Sequence, residues 1–174
     1  KKSNRCKVLA AALLGMAVFV LGFRWGEDGK LMTTILDVGQ GDGIFIKGPD
    51  GGTYLIDGGS SDVKKIGQYR IEPFLKSQGV SNLDYVIVTH GDSDHMNGIE
   101  ELIDRKKIGV TIDTLVLPVQ EVWGEELVAL AERAKKEGIR VVVIAPGQEI
   151  MEEELTLTCL QPGEAEEGLE TGNE

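Results

Sequence analysis

The sequence predicts an α/β domain behind a single membrane-spanning helix. Two observations give the domain. Short β-branched runs alternate with stretches of helical period, as layered α/β folds require. The chain of 174 residues, 41% hydrophobic and 27% charged, is long enough for one core and too apolar for a disordered segment. A third observation gives the helix: Val8–Phe23 is an uncharged run of 16 residues between basic flanks.

That run follows Lys1, Lys2, Arg5 and Lys7 and precedes Arg24 and Trp25. At about 1.5 Å per residue it covers about 24 Å, slightly less than a bilayer core, and Lys7 and Arg24 can snorkel to the interface. Residues 1–25 therefore read as a transmembrane helix with a basic cytoplasmic flank, and 26–30 as a polar linker. Residues 31–174 form the domain, on the extracytoplasmic side of the cell membrane. A cleaved signal peptide is the main rival and leaves the domain on the same side; a buried core helix is the weaker one. A chain that opens on Lys is expected to be a processed product or a piece of a longer protein.

Thr33–Val38, Gly43–Lys47 and Thr53–Ile56 read as three successive strands. Pro49-Asp50-Gly51-Gly52 turns a hairpin between the second and third, so the first part of the sheet is antiparallel. From Lys64 the period is helical, with Ile66, Tyr69, Ile71, Phe74 and Leu75 among charges, up to Gly79. Strand Tyr85–Thr89, a helix from Asp94 to Lys106 and strand Thr114–Leu117 follow. A third helix, Glu121–Glu137, puts Val122, Leu127, Leu130, Ala131 and Ala134 on one side and ends at Gly138, where positive φ is wanted. Arg140–Ala145 and Leu155–Leu160 complete the strands, and the Glu/Gly-rich tail reads as a loop.

The net charge is −11, but nine Glu and no Lys or Arg lie between Glu149 and Glu174, so residues 1–148 carry only −2. A basic footprint is missing beyond the first 30 residues, so composition does not support strong sequence-independent DNA binding by phosphate neutralisation and leaves transient contact open. Cys6 and Cys159 share no metal-type spacing and exclude a disulfide framework.

The chain's two histidines fall in one window, His90-Gly91-Asp92-Ser93-Asp94-His95, directly after an apolar strand and at the start of a helix. Such strand ends are where open α/β sheets place their sites. Imidazole nitrogen and carboxylate oxygen suit Zn²⁺ or Mn²⁺. Two divalent ions fit best, one on His90 and Asp92 and the other on Asp94 and His95, with Asp94 as the catalytic position and a bridging water as nucleophile. The plainer alternative is a polar loop in which Asp94 caps the next helix.

The window resembles the His-x-His-x-Asp-His motif of the metallo-β-lactamase superfamily, with Asp92 in the second histidine's place, which favours Mn²⁺ relative to an all-imidazole site. Leu36–Asp42, Leu55–Gly59 and Thr89–Gly98 together resemble the extracytoplasmic domain of the ComEC family of competence DNA-uptake channels, over about residues 30–162. The preceding apolar run resembles the helix that ends that family's channel portion. The resemblance implies part of a four-layer αββα sandwich. It also implies a metal-dependent nuclease linked to transformation, with the membrane, single- or double-stranded DNA and other competence proteins as partners.

By the same resemblance Asp57 is a buried carboxylate that orients the ligands; its plain alternative is a turn residue. Asp42 belongs to a tight turn beside the metal loop and is placed with Asp57 behind the ligands. Gly39, Gly41 and Gly43 do not have dinucleotide spacing, and a strand follows them. The family's later ligands, an Asp in a Gly-Asp pair and a His in a His-His-Gly stretch, have no counterpart after His95, and Leu160-Gln161-Pro162 carries Gln where the family has His. The sandwich is therefore expected to be incomplete in this chain, with one sheet face exposed and poor solubility. The remaining readings are a standalone hydrolase of small esters and a non-catalytic remnant or binding domain.

Overall fold

The computed structural model describes Lys7, residues 11–16 and residues 29–160. Eight strands and three α-helices lie within residues 29–160. In chain order they are β1 (Met32–Ile35), β2 (Ile44–Lys47), β3 (Thr53–Ile56), α1 (Glu72–Ser77), β4 (Asn82–Ile87), α2 (Ser93–Arg105), β5 (Thr111–Leu117), α3 (Glu125–Lys136), β6 (Arg140–Val143), β7 (Glu149–Met151) and β8 (Thr156–Thr158). A π-helical turn, Gly67–Ile71, leads into α1, and a 3₁₀ turn, Gln120–Val122, precedes α3.

Strands β1 to β6 form one sheet in sequence order, and β7 and β8 form a separate hairpin. β1, β2 and β3 are antiparallel, while β3, β4, β5 and β6 run parallel, as their helical crossovers require. The hairpin turn falls where Pro49–Gly52 places it: Gly48 N–H donates to Gly52 C=O at 2.8 Å, and Lys47 pairs with Thr53.

One face of the sheet meets the three helices. Phe45, Leu55, Leu83, Val86, Leu115 and Leu117 from the strands pack with Leu75 of α1, Ile99, Leu102 and Ile103 of α2, and Leu127 and Leu130 of α3. Each such side chain, fully buried, contributes about 1.5–3 kcal/mol. The other face is thinly covered. Ile150 and Leu157 of the hairpin share with Ile56, Ile87 and Pro118 of the sheet a cleft of 230 Å³. Tyr54 stacks on Tyr85 there, with ring centroids 5.4 Å apart, and burial raises the Tyr54 hydroxyl's pKa. Ile35 at the sheet edge is 82% exposed. Helix, mixed sheet and a small second sheet thus succeed one another in layers.

Several boundaries differ from the sequence expectation, for local reasons. β1 stops at Ile35 rather than Val38: Leu36 N–H to Gly43 C=O adds one last ladder bond, and the chain then turns, with Val38 N–H on Leu36 C=O and Gly39 at φ +83°. The expected helical start at Lys64 fails because Lys65 takes φ +54°, so regular α-helix begins only at Glu72. Likewise α3 begins at Glu125, and Val122 stands half exposed in the 3₁₀ turn instead of in the core. Strand β7 was not expected. Residues 11–16 are helical and exposed; the rest of the expected membrane helix and the acidic tail beyond Leu160 lie outside the described residues. No helix among the described residues is long and apolar enough to cross a membrane.

Candidate metal centre

The parallel register sets the site. Ile56 pairs with Ile87, and Ile87 with Val116, so β3, β4 and β5 end side by side. The ladder runs one residue further, through Asp57 N–H to Ile87 C=O at 2.8 Å and Val88 N–H to Val116 C=O at 3.0 Å. Asp57 and the His90–His95 loop therefore leave the sheet at the same edge, their strands being neighbours.

Three loops are then stitched together by backbone. Gly58 N–H donates to His95 C=O at 2.8 Å, Gly59 N–H to Asp42 C=O at 3.2 Å, and Asp42 N–H to Asp94 C=O at 3.3 Å. The approach tolerates no side chain at Gly59: a Cβ there would fall on the Asp94 carbonyl group and 2.5 Å from His95 N. Asn97 of α2 clamps the same turn, accepting from Ser60 N–H at 3.0 Å and donating to Ser60 C=O at 2.6 Å. Asp62 ties it to the β1–β2 loop by accepting from Gln40 N–H at 2.8 Å and from the Ser60 hydroxyl at 2.9 Å, which holds its carboxyl below the usual carboxylate range.

Asp57 is 5% exposed and sits at φ +53°, a left-handed conformation that Asp tolerates better than most residues. Its Oδ1 accepts from Thr89 N–H at 2.9 Å; its Oδ2 accepts from the Thr89 hydroxyl at 2.7 Å and lies 3.0 Å from His95 Nδ1. A carboxylate on Nδ1 fixes the ring and leaves Nε2 to face outward as a ligand.

His95 Nε2 lies 3.6 Å from Asp42 Oδ2, and His90 Nε2 lies 3.5 Å from Asp92 Oδ2. The two imidazoles face each other, with ring centroids 3.8 Å apart. Both nitrogen–oxygen separations exceed hydrogen-bond length. Asp94 stands in the first turn of α2, and its carboxylate makes no hydrogen bond or ion pair among the described residues. The helix is capped by neither carboxylate: its N-cap is Asp92, without a side-chain cap bond. The capping alternative is thereby corrected.

Of the residues singled out in the sequence, the structure brings together His90, Asp92, His95, Asp57 and Asp42, and leaves the Asp94 side chain apart. Asp42 stands at the outward nitrogen of His95, not behind it. Among the described residues no group of three or more His, Cys, Asp or Glu side chains closes on a point that would hold an ion. The donors come as pairs. Chemically the set fits divalent ions: Asp42, Asp57, Asp92 and Asp94 form no ion pair with Lys or Arg among the described residues, and two imidazole nitrogens face outward among them. Sequence reasoning missed Thr89, Asn97 and Gln40, which hold these loops together.

A mixed sheet that gathers carboxylates and imidazoles at the ends of its parallel strands defines the class. The metallo-beta-lactamase superfamily profile matches residues 36–163, and the chain belongs to that superfamily. More narrowly, the chain is similar to ComE operon protein 3 of Bacillus subtilis (strain 168), at 29% identity over 141 residues, which are 74% of this chain. The match spans 18% of that relative's length. A crystal structure of a new diphosphatase from the PhnP family matches at 18% identity with a TM-score of 0.38, over 63% of this chain and 39% of the other. The resemblance read from the sequence thus holds for the superfamily and for this relative.

Proposed function

We propose that this chain carries the metal-binding edge of a membrane-anchored hydrolase that cleaves phosphodiesters of DNA on the extracytoplasmic side during DNA uptake. One observation carries the reading: two outward imidazole nitrogens stand among carboxylates at the sheet edge, and among the described residues no Lys or Arg pairs with those carboxylates. Similarity to a ComE operon protein supports the uptake context.

His90 and Asp92 would hold one ion, and His95 with Asp42 or Asp94 the other. Mn²⁺ or Zn²⁺ there supplies Lewis acidity toward a phosphoryl oxygen and an activated water. The chain's own contribution is rigidity. Asp57 holds the His95 ring through Nδ1, and the Gly59–Asp94 approach and the Asn97 clamp keep the loops from spreading. Asp94, whose carboxylate has no partner among the described residues, would be the catalytic carboxylate.

The test uses the full-length protein. With Mn²⁺ or Zn²⁺ it should hydrolyse bis(p-nitrophenyl) phosphate and DNA, and His95→Ala should remove both activities while circular dichroism and melting temperature are retained. Full activity in His95→Ala, or no retained metal and no hydrolysis in the wild type, overturns the reading.

A further inference from the structure

Thr89 takes part in two interactions at the site that the proposed ligands alone do not account for. Its hydroxyl oxygen lies 2.7 Å from Asp57 Oδ2 and 2.9 Å from His90 Nδ1. A hydroxyl has one hydrogen to give and can accept elsewhere, whereas an ionised carboxylate only accepts. The shorter contact, to the carboxylate, is the charge-assisted kind and roughly twice as strong as a neutral bond, so the hydroxyl hydrogen goes to Asp57. Toward His90 the hydroxyl oxygen is then an acceptor, and Nδ1 of His90 must carry the hydrogen.

We infer that Thr89 is a positioning residue that relays the Asp57 carboxylate to His90, so that one buried carboxylate fixes the same ring tautomer in both histidines. The chain of donors runs from His90 Nδ1–H to Thr89 Oγ1, from Thr89 Oγ1–H to Asp57 Oδ2, and separately from His95 Nδ1–H to Asp57 Oδ2. Both Nε2 atoms are left with their lone pairs outward. Geometry reinforces the relay. Thr89 N–H is pinned to Asp57 Oδ1 at 2.9 Å, and a β-branched side chain is stiff at χ1, so the hydroxyl is held where both partners need it. His90 is 46% exposed at its side chain, and the Asp92 carboxylate 3.5 Å from its Nε2 favours the opposite tautomer, so Thr89 is the group that selects Nδ1–H. The value of the relay for metal binding rests on the hydrolase reading; the tautomer does not.

The chain has two histidines, so a ¹H–¹⁵N long-range correlation spectrum of the metal-free, ¹⁵N-histidine-labelled full chain shows two imidazoles. At a pH where both rings are neutral, both should carry hydrogen on Nδ1. Thr89→Val should move His90 alone to the Nε2–H form, and Thr89→Ser, which keeps the hydroxyl, should restore Nδ1–H. In a Mn²⁺ titration Thr89→Val should weaken binding about tenfold, the lower end of what loss of an outer partner costs. An Nε2–H His90 in the wild type, or an unchanged His90 in Thr89→Val, overturns the inference. The wild-type spectrum decides even if the valine variant fails to fold. If the tautomers are as stated and bis(p-nitrophenyl) phosphate is not hydrolysed, the relay stands and the hydrolase reading fails.

Discussion

Asp57 and Glu72 are both buried carboxylates, 5% and 3% exposed, yet they are held in opposite ways. Glu72, at the start of α1, is neutralised by basic side chains: Arg105 Nε lies 2.9 Å from its Oε2, and Lys76 pairs with its Oε1. Asp57, at the end of β3, receives a backbone N–H, a hydroxyl and an imidazole, and no Lys or Arg. It also occupies a left-handed backbone conformation, while Glu72 is regular helix. A carboxylate paired with fixed cations can serve only the fold. One that orients imidazoles at strained backbone keeps its charge available to the groups beside it, which is where proteins store strain for function.

The largest effect that would break this contrast comes from Asp57→Asn. Asparagine keeps the size and tolerates left-handed φ, so the backbone should hold. Its single acceptor oxygen, however, cannot serve Thr89 N–H, the Thr89 hydroxyl and His95 together. Loss of such an outer partner is expected to cost about 10–100-fold in metal affinity or activity. Isothermal titration with Mn²⁺ and hydrolysis assays measure it, with the thermal melt as control. If Asp57→Asn instead lowers the melting temperature and leaves metal affinity intact, Asp57 belongs with Glu72 as a structural group.

The two carboxylates were not equally legible in the sequence. His90, Asp92, Asp94 and His95 stood out because all the chain's histidine lies in one short window after an apolar strand, and Asp57 because it ends another. Nothing local marks Glu72 as buried: its partner Arg105 is 33 positions away and meets it only when α2 packs against the π-turn that leads into α1. Thr89 escaped notice because threonine is ordinary at the end of a strand, and its role exists only through the contact of β3 with β4. Asp42 was read as lying behind the ligands; its Oδ2 is 3.6 Å from the outward nitrogen of His95, a proximity that no local pattern in the β1–β2 loop announces. The π-turn was hidden because Ile66, Tyr69 and Ile71 keep helical spacing, while the positive φ at Lys65 that delays the helix has no glycine to announce it. Strand β7 was missed because three residues, one of them Glu, carry no period.

Glu72→Gln tests the other half of the contrast. Hydrogen bonds to Arg105, and secondarily to Lys76, hold the Glu72 carboxyl below its ordinary value. A group whose folded pKa is depressed stabilises the fold above its unfolded pKa, near 4.5, and that contribution fades as pH falls through the lower folded value. At pH 7 the variant should therefore be less stable by about 1–3 kcal/mol, the cost of leaving a buried hydrogen-bonded charge short of its partner. The difference from wild type should begin to shrink as pH falls below about 4.5 and should vanish only once pH has passed the lower folded value, where both side chains are neutral. Urea unfolding at a series of pH values measures both. Hydrolysis per folded molecule should not change, because no site residue contacts Glu72.

The smallest effect separates the two cations around Glu72. Lys76 is 51% exposed at its side chain and bonds at i,i+4 along α1, whereas Arg105 reaches in from α2 and is 28% exposed. Exposed pairs of this kind contribute little, since solvent already screens the lysine and its flexible stem loses entropy on pairing. Lys76→Ala should therefore change unfolding free energy by no more than about 0.5 kcal/mol, with Arg105 still satisfying the carboxylate. A loss above about 1.5 kcal/mol, comparable to removing the Glu72 charge itself, would mean that Lys76 rather than Arg105 carries the neutralisation. The bond that docks α2 on α1 would then be a secondary one, and the contrast with Asp57 would rest on a local helix pair instead of a tertiary contact.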